Sequence, residues 1–232
     1  MIIGNGLIGN AFKKYFKDDN DVLIFASGVS DSKNKDRSDY KREERLLKSY
    51  LDQNNDYDLF VYFSTISVED ISMQKREYIL HKLKMEAVIR ESKNSIIFRL
   101  GQIASRGKGN LNNLLNYLVR SIKNQDQIEV WLGSYRNILD IDDIVKIIVY
   151  IISNNLFTGE IVNIVNPKSH RIEQIISILE EVLLLKGDYS YIEKGVKYVA
   201  SAEKIIPLIN DLGMLFNDQY LHKVFKKYYH DF

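Results

Sequence analysis

Met1-Ile2-Ile3-Gly4-Asn5-Gly6-Leu7-Ile8-Gly9 opens the chain with an apolar stub followed by the spacing G-x-G-x-x-G. The stub reads as a short strand. The stretch Leu7 to Phe16 carries Leu7, Ile8, Ala11, Phe12 and Tyr15/Phe16 on one helical face. In a strand-to-helix turn the first glycine permits the tight bend and the second lets backbone approach a pyrophosphate. The third lets helix and strand pack closely. The unpaired N–H groups at the helix start then face the anion. Taken alone, the spacing also suits a glycine turn without a ligand, so the rest of the chain has to decide.

Outward from that loop, short β-branched runs alternate with helical segments, the pattern of an α/β fold with a parallel sheet. Strands are expected at Asp21–Ala26, Leu59–Phe63, Ser95–Leu100, Ile128–Trp131 and Ile161–Val165, with a weak one at Val196–Ala200. Helices are expected at Tyr40–Leu51, Tyr78–Arg90, Leu111–Ile122, Asp142–Ser153 and Ile172–Leu185, then around Glu203–Leu212 and Asp218–Tyr229. Ser105–Asn110 reads as a glycine-rich loop.

The composition excludes several function classes. The chain has 232 residues, with 32 Lys+Arg against 31 Asp+Glu and a net charge of +1. That balance argues against nucleic-acid binding by bulk electrostatics. No cysteine is present, which removes disulfides, thiolate metal sites and Cys nucleophiles together. His170, His222 and His230 show no paired spacing, so no metal site is expected. No apolar run reaches the roughly 18 residues of a membrane span. Gly4, Gly6 and Gly9 interrupt the apolar start, which does not read as a secretory leader. A soluble cytoplasmic protein is expected.

Tyr78-Ile-Leu-His-Lys82 is a Y-x-x-x-K. Its i,i+4 spacing puts phenol and ammonium on one helical face. A nearby ammonium favours phenolate and lowers the tyrosine pKa from about 10. A phenol tuned in this way exchanges a proton with a carbonyl or alcohol oxygen. Upstream, Phe63-Ser64-Thr65-Ile66-Ser67 places hydroxyls at a strand's C-terminal end, where open α/β sheets bind ligands. With 15 tyrosines in the chain, the motif alone has an ordinary surface reading. The ordered set of glycine loop, strand-end Thr and Y-x-x-x-K is far rarer.

With that set, the chain resembles the extended short-chain dehydrogenase/reductases of the sugar-nucleotide-modifying epimerase/dehydratase superfamily. Further stretches agree, in the expected order from residue 1 to about 185. Phe25-Ala26-Ser27-Gly28 resembles the segment over the cofactor ribose. Phe60 to Thr65 resembles the strand that delivers the catalytic hydroxyl, and its Ser-Thr pair is closest to that of 4-keto sugar-nucleotide reductases. Arg99-Leu-Gly-Gln102 resembles the family's Arg-x-x-Asn. Arg136 to Asp143 resembles the R-D-F-V-H-V-D-D segment, and Gly159 to Ile164 the G-x-x-x-N-I strand.

The resemblance implies a Rossmann-like doubly wound parallel sheet. Its cofactor domain would span 1–104 and 137–166, and a small α/β substrate-binding lobe would span 105–136 and 167–232. It implies Thr65, Tyr78 and Lys82 as catalytic residues. It places NAD or NADP against Gly4, Asn5, Gly6, Leu7, Ile8, Gly9, Phe25, Ala26, Ser27, Lys82 and Leu100. It places a nucleoside-diphosphate sugar against Gln102, Asn110, Leu111 and Arg136. It also implies a role in surface polysaccharide and nucleotide-sugar biosynthesis, and a possible homodimer through the Tyr40–Leu51 and Tyr78–Arg90 helices.

Two departures sharpen this. Between Gly9 and Thr65 there are too few residues for three strands and their helices. Either Asp21–Ala26 is the family's fourth strand, with the second and third missing, or it is the second. The first placement is preferred, because the residues from Ser27 to Thr65 cannot hold a further βαβ unit of about 30 residues plus a helix. The acidic residue that normally holds the adenosine ribose would then be absent, and Lys33, Lys35 and Arg37 would be simply solvated or would meet a 2′-phosphate. Second, Ile66-Ser67 stands where the family's dehydratases carry Asp-Glu, and the Cys of the reductoisomerases is missing. Reduction of a 4-keto, 6-deoxy-type sugar nucleotide is the expected reaction. A C4 epimerase with retained NAD, or a non-catalytic dinucleotide-responsive protein, are the other readings. His81 is expected on the helix surface or edge, and Asp142-Asp143 at a helix start favoured by the dipole. Trp131 is expected to be buried or to flank the nucleotide base.

Overall fold

The β-branched and aromatic runs form strands that pair in parallel, and the stretches between them form helices. In chain order the elements are β1 (Ile2–Ile3), α1 (Leu7–Phe16), β2 (Val22–Phe25), α2 (Arg37–Asp52), β3 (Leu59–Thr65), α3 (Glu77–Ile89) and β4 (Ser95–Leu100). Then follow β5 (Gln102–Ala104), α4 (Leu114–Asn124), β6 (Gln127–Leu132), β7 (Tyr135–Arg136), β8 (Ile138–Asp140), α5 (Ile141–Ser153) and β9 (Ile161–Ile164). The chain ends with β10 (His170–Arg171), α6 (Ile172–Leu183), β11 (Asp188–Glu193), α7 (Ile206–Asp211) and α8 (Tyr220–Tyr229). This computed structural model describes all residues except 33, 35, 53–56, 93, 107–112, 196, 198 and 231–232. None of its helices is long and apolar enough to cross a membrane among the described residues.

Two units separate by their internal packing, one from Met1–Leu100 and Asp142–Ile164, the other from Gly101–Ile141 and Val165–Phe232. In the first, a five-stranded parallel sheet runs β1-β2-β3-β4-β9. Alternate side chains face opposite sides. Leu23, Phe25, Phe60, Tyr62 and Ile97 point to one face, where Leu47 of α2 and Met85 and Ile89 of α3 cover them. Phe63 points to the other, where its ring stacks on Phe12 of α1 at 5.5 Å.

This arrangement has an unusual hand. Strand order steps in one direction from β1 to β4, yet the β1–β2 connection runs over the opposite face from α2 and α3. Connections that step the same way on opposite faces have opposite hands. Parallel crossovers are right-handed in about 98% of cases. The α2 and α3 connections take that hand, and β1-α1-β2 is left-handed. The expected α/β parallel sheet is therefore present with helices on both faces, but its strand order never reverses. A left-handed β1-α1-β2 is the geometry left when a pair of strands beyond β1 is omitted from a doubly wound sheet, which fits the expectation that Val22–Phe25 is the fourth strand of such a plan. β1 is then an edge strand.

In the second unit, β5 pairs with β8 and β6 with β11, both parallel, while β7 and β10 pair antiparallel. Asp140, buried at the end of β8, accepts from Lys227 Nζ at 2.6 Å and from the Tyr228 hydroxyl, and so ties α8 to that strand. β11 corrects the sequence expectation, which had no strand at Asp188–Glu193. The strand expected at Val196–Ala200 includes residues 196 and 198, outside the described ones, and its described members form none.

Leu47 is fully buried between α2 and the sheet. Leu47→Ala is expected to destabilise the chain by about 2–5 kcal/mol in urea unfolding; a change within error would contradict this placement of α2.

Candidate active site

The glycine loop sits where β1 and β2 send their following segments to opposite faces of the sheet, so the C-terminal ends of these two strands diverge. Such divergence leaves the crevice in which open α/β sheets bind ligands. Gly4 has φ +118°, and a Cβ there would lie 2.4 Å from the Ala26 carbonyl oxygen. A Cβ on Gly9 would lie 2.3 Å from the Gly4 carbonyl oxygen. These two glycines let β1, α1 and the segment after β2 close together. Gly6 differs: a Cβ there would meet nothing within 4 Å. It is the N-cap of α1, with no side chain capping the helix and no acidic residue in the first turn. Space beside the backbone and uncapped N–H groups suit a diphosphate. The residues present therefore fit a dinucleotide at its pyrophosphate.

Around the loop, Asn5 accepts from Asn10 Nδ2 through its carbonyl at 2.7 Å. Leu7 and Ile8 form the first helical turn. Ala26 N donates to the Ile3 carbonyl at 2.7 Å, and Arg42 donates to both the hydroxyl and the carbonyl of Ser27 at 3.1 and 3.2 Å. The Phe25 side chain is committed to the core under α2 and α3, so only its backbone is available at the strand end. Arg37 pairs with Glu77 at the surface; Lys33 and Lys35 lie outside the described residues.

Thr65 ends β3. Its Oγ1 accepts from Ser67 N at 3.2 Å, which turns the chain into a short 3₁₀ helix, Ile66–Glu69. The same side chain lies close enough to the Tyr78 hydroxyl to favour its ionised form. Tyr78 lies in the first turn of α3 and is buried. The neighbouring Ser64 turns away and donates to Glu86 Oε1 at 2.6 Å. Glu86 also holds Arg99 through two bonds of 2.9 and 2.6 Å, and Arg99 reaches Glu69 at 3.1 Å. This buried ionic network fixes the ends of β3 and β4 and leaves Thr65 as the hydroxyl beside Tyr78.

Lys82 lies one turn after Tyr78, almost fully buried. Its Nζ donates to the Tyr62 hydroxyl and to Glu43 Oε1, both at 3.1 Å, and lies 6.0 Å from the Tyr78 ring centre. Glu43 has no exposed surface. Its Oε1 also accepts from Tyr62 at 2.6 Å, while Oε2 accepts from Val29 N at 2.6 Å and pairs with His81 Nε2 at 3.0 Å. A Cβ on Gly28 would lie within 3 Å of both Lys82 Nζ and Glu43 Oε1, so a larger residue would displace the ends of these two paired side chains. Burial pushes the Glu43 carboxyl up, but the Lys82 ammonium, His81, Tyr62 and the Val29 N–H outweigh it and bring it to about 2. Burial lowers Lys82 against the pull of Glu43.

Three expectations change. The Tyr78 phenol is raised above its ordinary value, first by burial and then by the Glu43 charge, with the Thr65 side chain opposing. The expected lowering by Lys82 does not result, because that ammonium is paired with a carboxylate. His81 is a buried partner of Glu43 rather than helix surface. Glu43 was missed altogether. Its signal is its position: three residues after Tyr40 and four before Leu47, it falls in the apolar stripe of α2. Trp131 is half-buried, with Lys194 Nζ 4.3 Å from its ring centre.

Tyr78, Thr65, Lys82, the glycine loop, Ala26, Ser27 and Leu100, which is the register partner of Thr65, all belong to the first unit. Gln102 and Arg136 belong to the second. Gln102 N donates to the Asn137 carbonyl at 2.8 Å, and Arg136 pairs in register with His170. Asn110 and Leu111 lie outside the described residues.

Comparison with known proteins agrees with the fold. Residues 64–165 match the NAD dependent epimerase/dehydratase family. No curated protein sequence matches the chain. Among solved structures, RMD from Pseudomonas aeruginosa complexed with NADPH superposes with a TM-score of 0.71 at 14% identity, covering 100% of this chain and 98% of that one. UDP-glucuronic acid 4-epimerase from Bacillus cereus in complex with NAD gives 0.71 at 20% identity, covering 91% and 73%. The epimerase Mth375 from Methanothermobacter thermautotrophicus gives 0.75 at 16% identity, covering 97% and 78%. At these identities the likeness is one of fold.

Two outcomes follow. Gly6→Ala is expected to keep unfolding stability within about 1 kcal/mol while weakening NADH and NADPH binding about tenfold or more in calorimetry; undiminished binding would place the nucleotide elsewhere. Because the Glu43 carboxyl is lowered from 4.5 to about 2, its stabilising contribution is complete above 4.5 and is lost as pH falls toward about 2. The urea-unfolding stabilities of the native chain and Glu43→Gln are expected to converge across that window, and a constant gap would contradict the pairing.

Proposed function

We propose that this chain, whose residues 64–165 match the epimerase/dehydratase family, is an NAD(P)H-dependent reductase of a nucleoside-diphosphate 4-keto sugar, of the 6-deoxy type. The observation that carries the reading is the buried Tyr78 hydroxyl beside Thr65 at the strand end, its pKa raised by burial. When bound, NAD(P)H supplies the hydride. Thr65 orients the substrate's carbonyl oxygen. Tyr78 donates its phenolic proton to that oxygen as negative charge develops there, so the ketone becomes a secondary alcohol. Lys82 holds its charge within the buried cluster and stabilises the phenolate left behind, which then recovers its proton from water.

The protonated phenol favours reduction over the epimerase reading, in which the tyrosine must first remove a proton from an alcohol. Ile66 and Ser67, where dehydratases carry Asp-Glu, supply no acid or base for loss of a hydroxyl. Two of the neighbouring structures named above hold NADPH or NAD, and one is a UDP-glucuronic acid 4-epimerase, which favours a nicotinamide cofactor and a sugar nucleotide here. Arg136 is the proposed partner of the sugar-nucleotide diphosphate, for which its planar guanidinium is suited.

The test is a panel of nucleoside-diphosphate 4-keto-6-deoxy sugars with NADH and NADPH, followed at the nicotinamide absorbance. Tyr78→Phe is expected to cut turnover about 10²–10⁴-fold with sugar-nucleotide binding nearly unchanged. Full turnover by Tyr78→Phe, or nicotinamide that co-purifies and never exchanges, would falsify the assignment.

A further inference from the structure

The proposed reaction explains Tyr78, Thr65 and Lys82, but not why a carboxylate without exposed surface sits behind them. Glu43 projects from α2 and is bonded by four groups from three other segments: Val29 N after β2, Tyr62 of β3, and His81 and Lys82 of α3. The other titratable groups facing this cluster and Tyr78 are Tyr40 of α2, Asp31 of the loop after β2, and Glu86 of α3. Tyr40 stacks its ring on His81 at 4.7 Å. The ammonium nearest Tyr78 is thus half of an ion pair, 3.1 Å from its carboxylate.

An unopposed ammonium at this place would stabilise phenolate, while a paired one does so much less. We propose that Glu43 is a positioning residue of the acid–base pair: it pins the Lys82 ammonium against Tyr62 and offsets its charge at Tyr78, so that Tyr78 keeps its proton until the substrate oxygen takes it. The inference rests on the reductase reading for its purpose, but its physical content concerns Tyr78 alone. The carboxylate biases the site toward proton donation. Raised by burial and by Glu43, the Tyr78 phenol already shows that bias.

The test reads Tyr78 directly. The phenolate absorbance that vanishes when Tyr78→Phe is added to a given background isolates this tyrosine from the 14 others, since the chain has 15. In Glu43→Gln, with the negative charge gone and the ammonium unopposed, that phenolate is expected to form about one pH unit or more below its position in the native chain. In the double variant Glu43→Gln/Lys82→Met both charges are removed, and the phenolate is expected to return to within about half a unit of the native position. A merely structural Glu43 would lower the unfolding midpoint but leave the Tyr78 titration in place, and that result overturns the proposal. Where Glu43→Gln alone does not fold, the double variant decides, since a Tyr78 that ionises well below native there overturns it equally. With a reducible keto sugar in hand, the alkaline limb of turnover in Glu43→Gln is expected to fall by the same shift. Failure of the substrate panel would remove the reductase reading and leave the titration standing.

Discussion

Glu43 has no access to water, and its negative charge has to be satisfied from within the protein. A buried carboxylate left alone costs several kcal/mol, and it persists only when paired and hydrogen-bonded. Here the satisfaction comes from the loop after β2, from β3 and from α3 at once. That requirement ties α2 to the loop after β2, to β3 and to α3 at one point, with Lys82 held against Glu43 and Tyr62. A hydrophobic residue at this position would pack the helix equally well, but it would leave Lys82 buried without a counter-charge. The placement of Tyr78 beside Thr65 is built on that pairing.

The second organising fact is the hand of the β1-α1-β2 connection. In a sheet whose strands step one way, all right-handed crossovers would lie on one face, and no crevice would open at the strand ends. Because α1 lies on the face opposite α2, the backbone leaves β1 and β2 in opposite directions, and the glycine loop comes to lie beside Ala26 and Ser27. The chain keeps a binding crevice without the strand-order reversal that normally creates one.

How far the sequence could be read depends on the kind of interaction. The glycine loop, the strand ending at Thr65 and the Y-x-x-x-K helix were legible because each is a local pattern with a fixed backbone requirement. The parallel sheet followed from β-branched runs separated by helical ones, and the missing strands from simple counting between Gly9 and Thr65. The ionic cluster was not legible, because a Glu within α2 looks like any solvated helix charge until it is placed on the Tyr40–Leu47 stripe. His81 was misjudged for the same reason. Whether a lysine lowers a neighbouring tyrosine depends on what else touches the lysine, and Glu43 lies 39 residues away in sequence. β11 was missed because Asp188–Glu193 is largely exposed, with only the alternation of Tyr189 and Tyr191 to mark it.

β1 is two residues long and has a strand neighbour on one side only. It carries the glycine loop, so the proposed dinucleotide site rests on one of the more weakly held parts of the sheet. A ligand that grips the loop must also hold β1 against β2, and the free energy of binding is then shared with the free energy of docking that edge. By linkage, a nucleotide bound at the loop would stabilise the first unit by RT ln(1 + L/Kd), where L is the free nucleotide concentration, so its melting temperature would rise with the logarithm of that concentration above Kd. Nucleotide concentration and the persistence of this short edge would then be thermodynamically coupled.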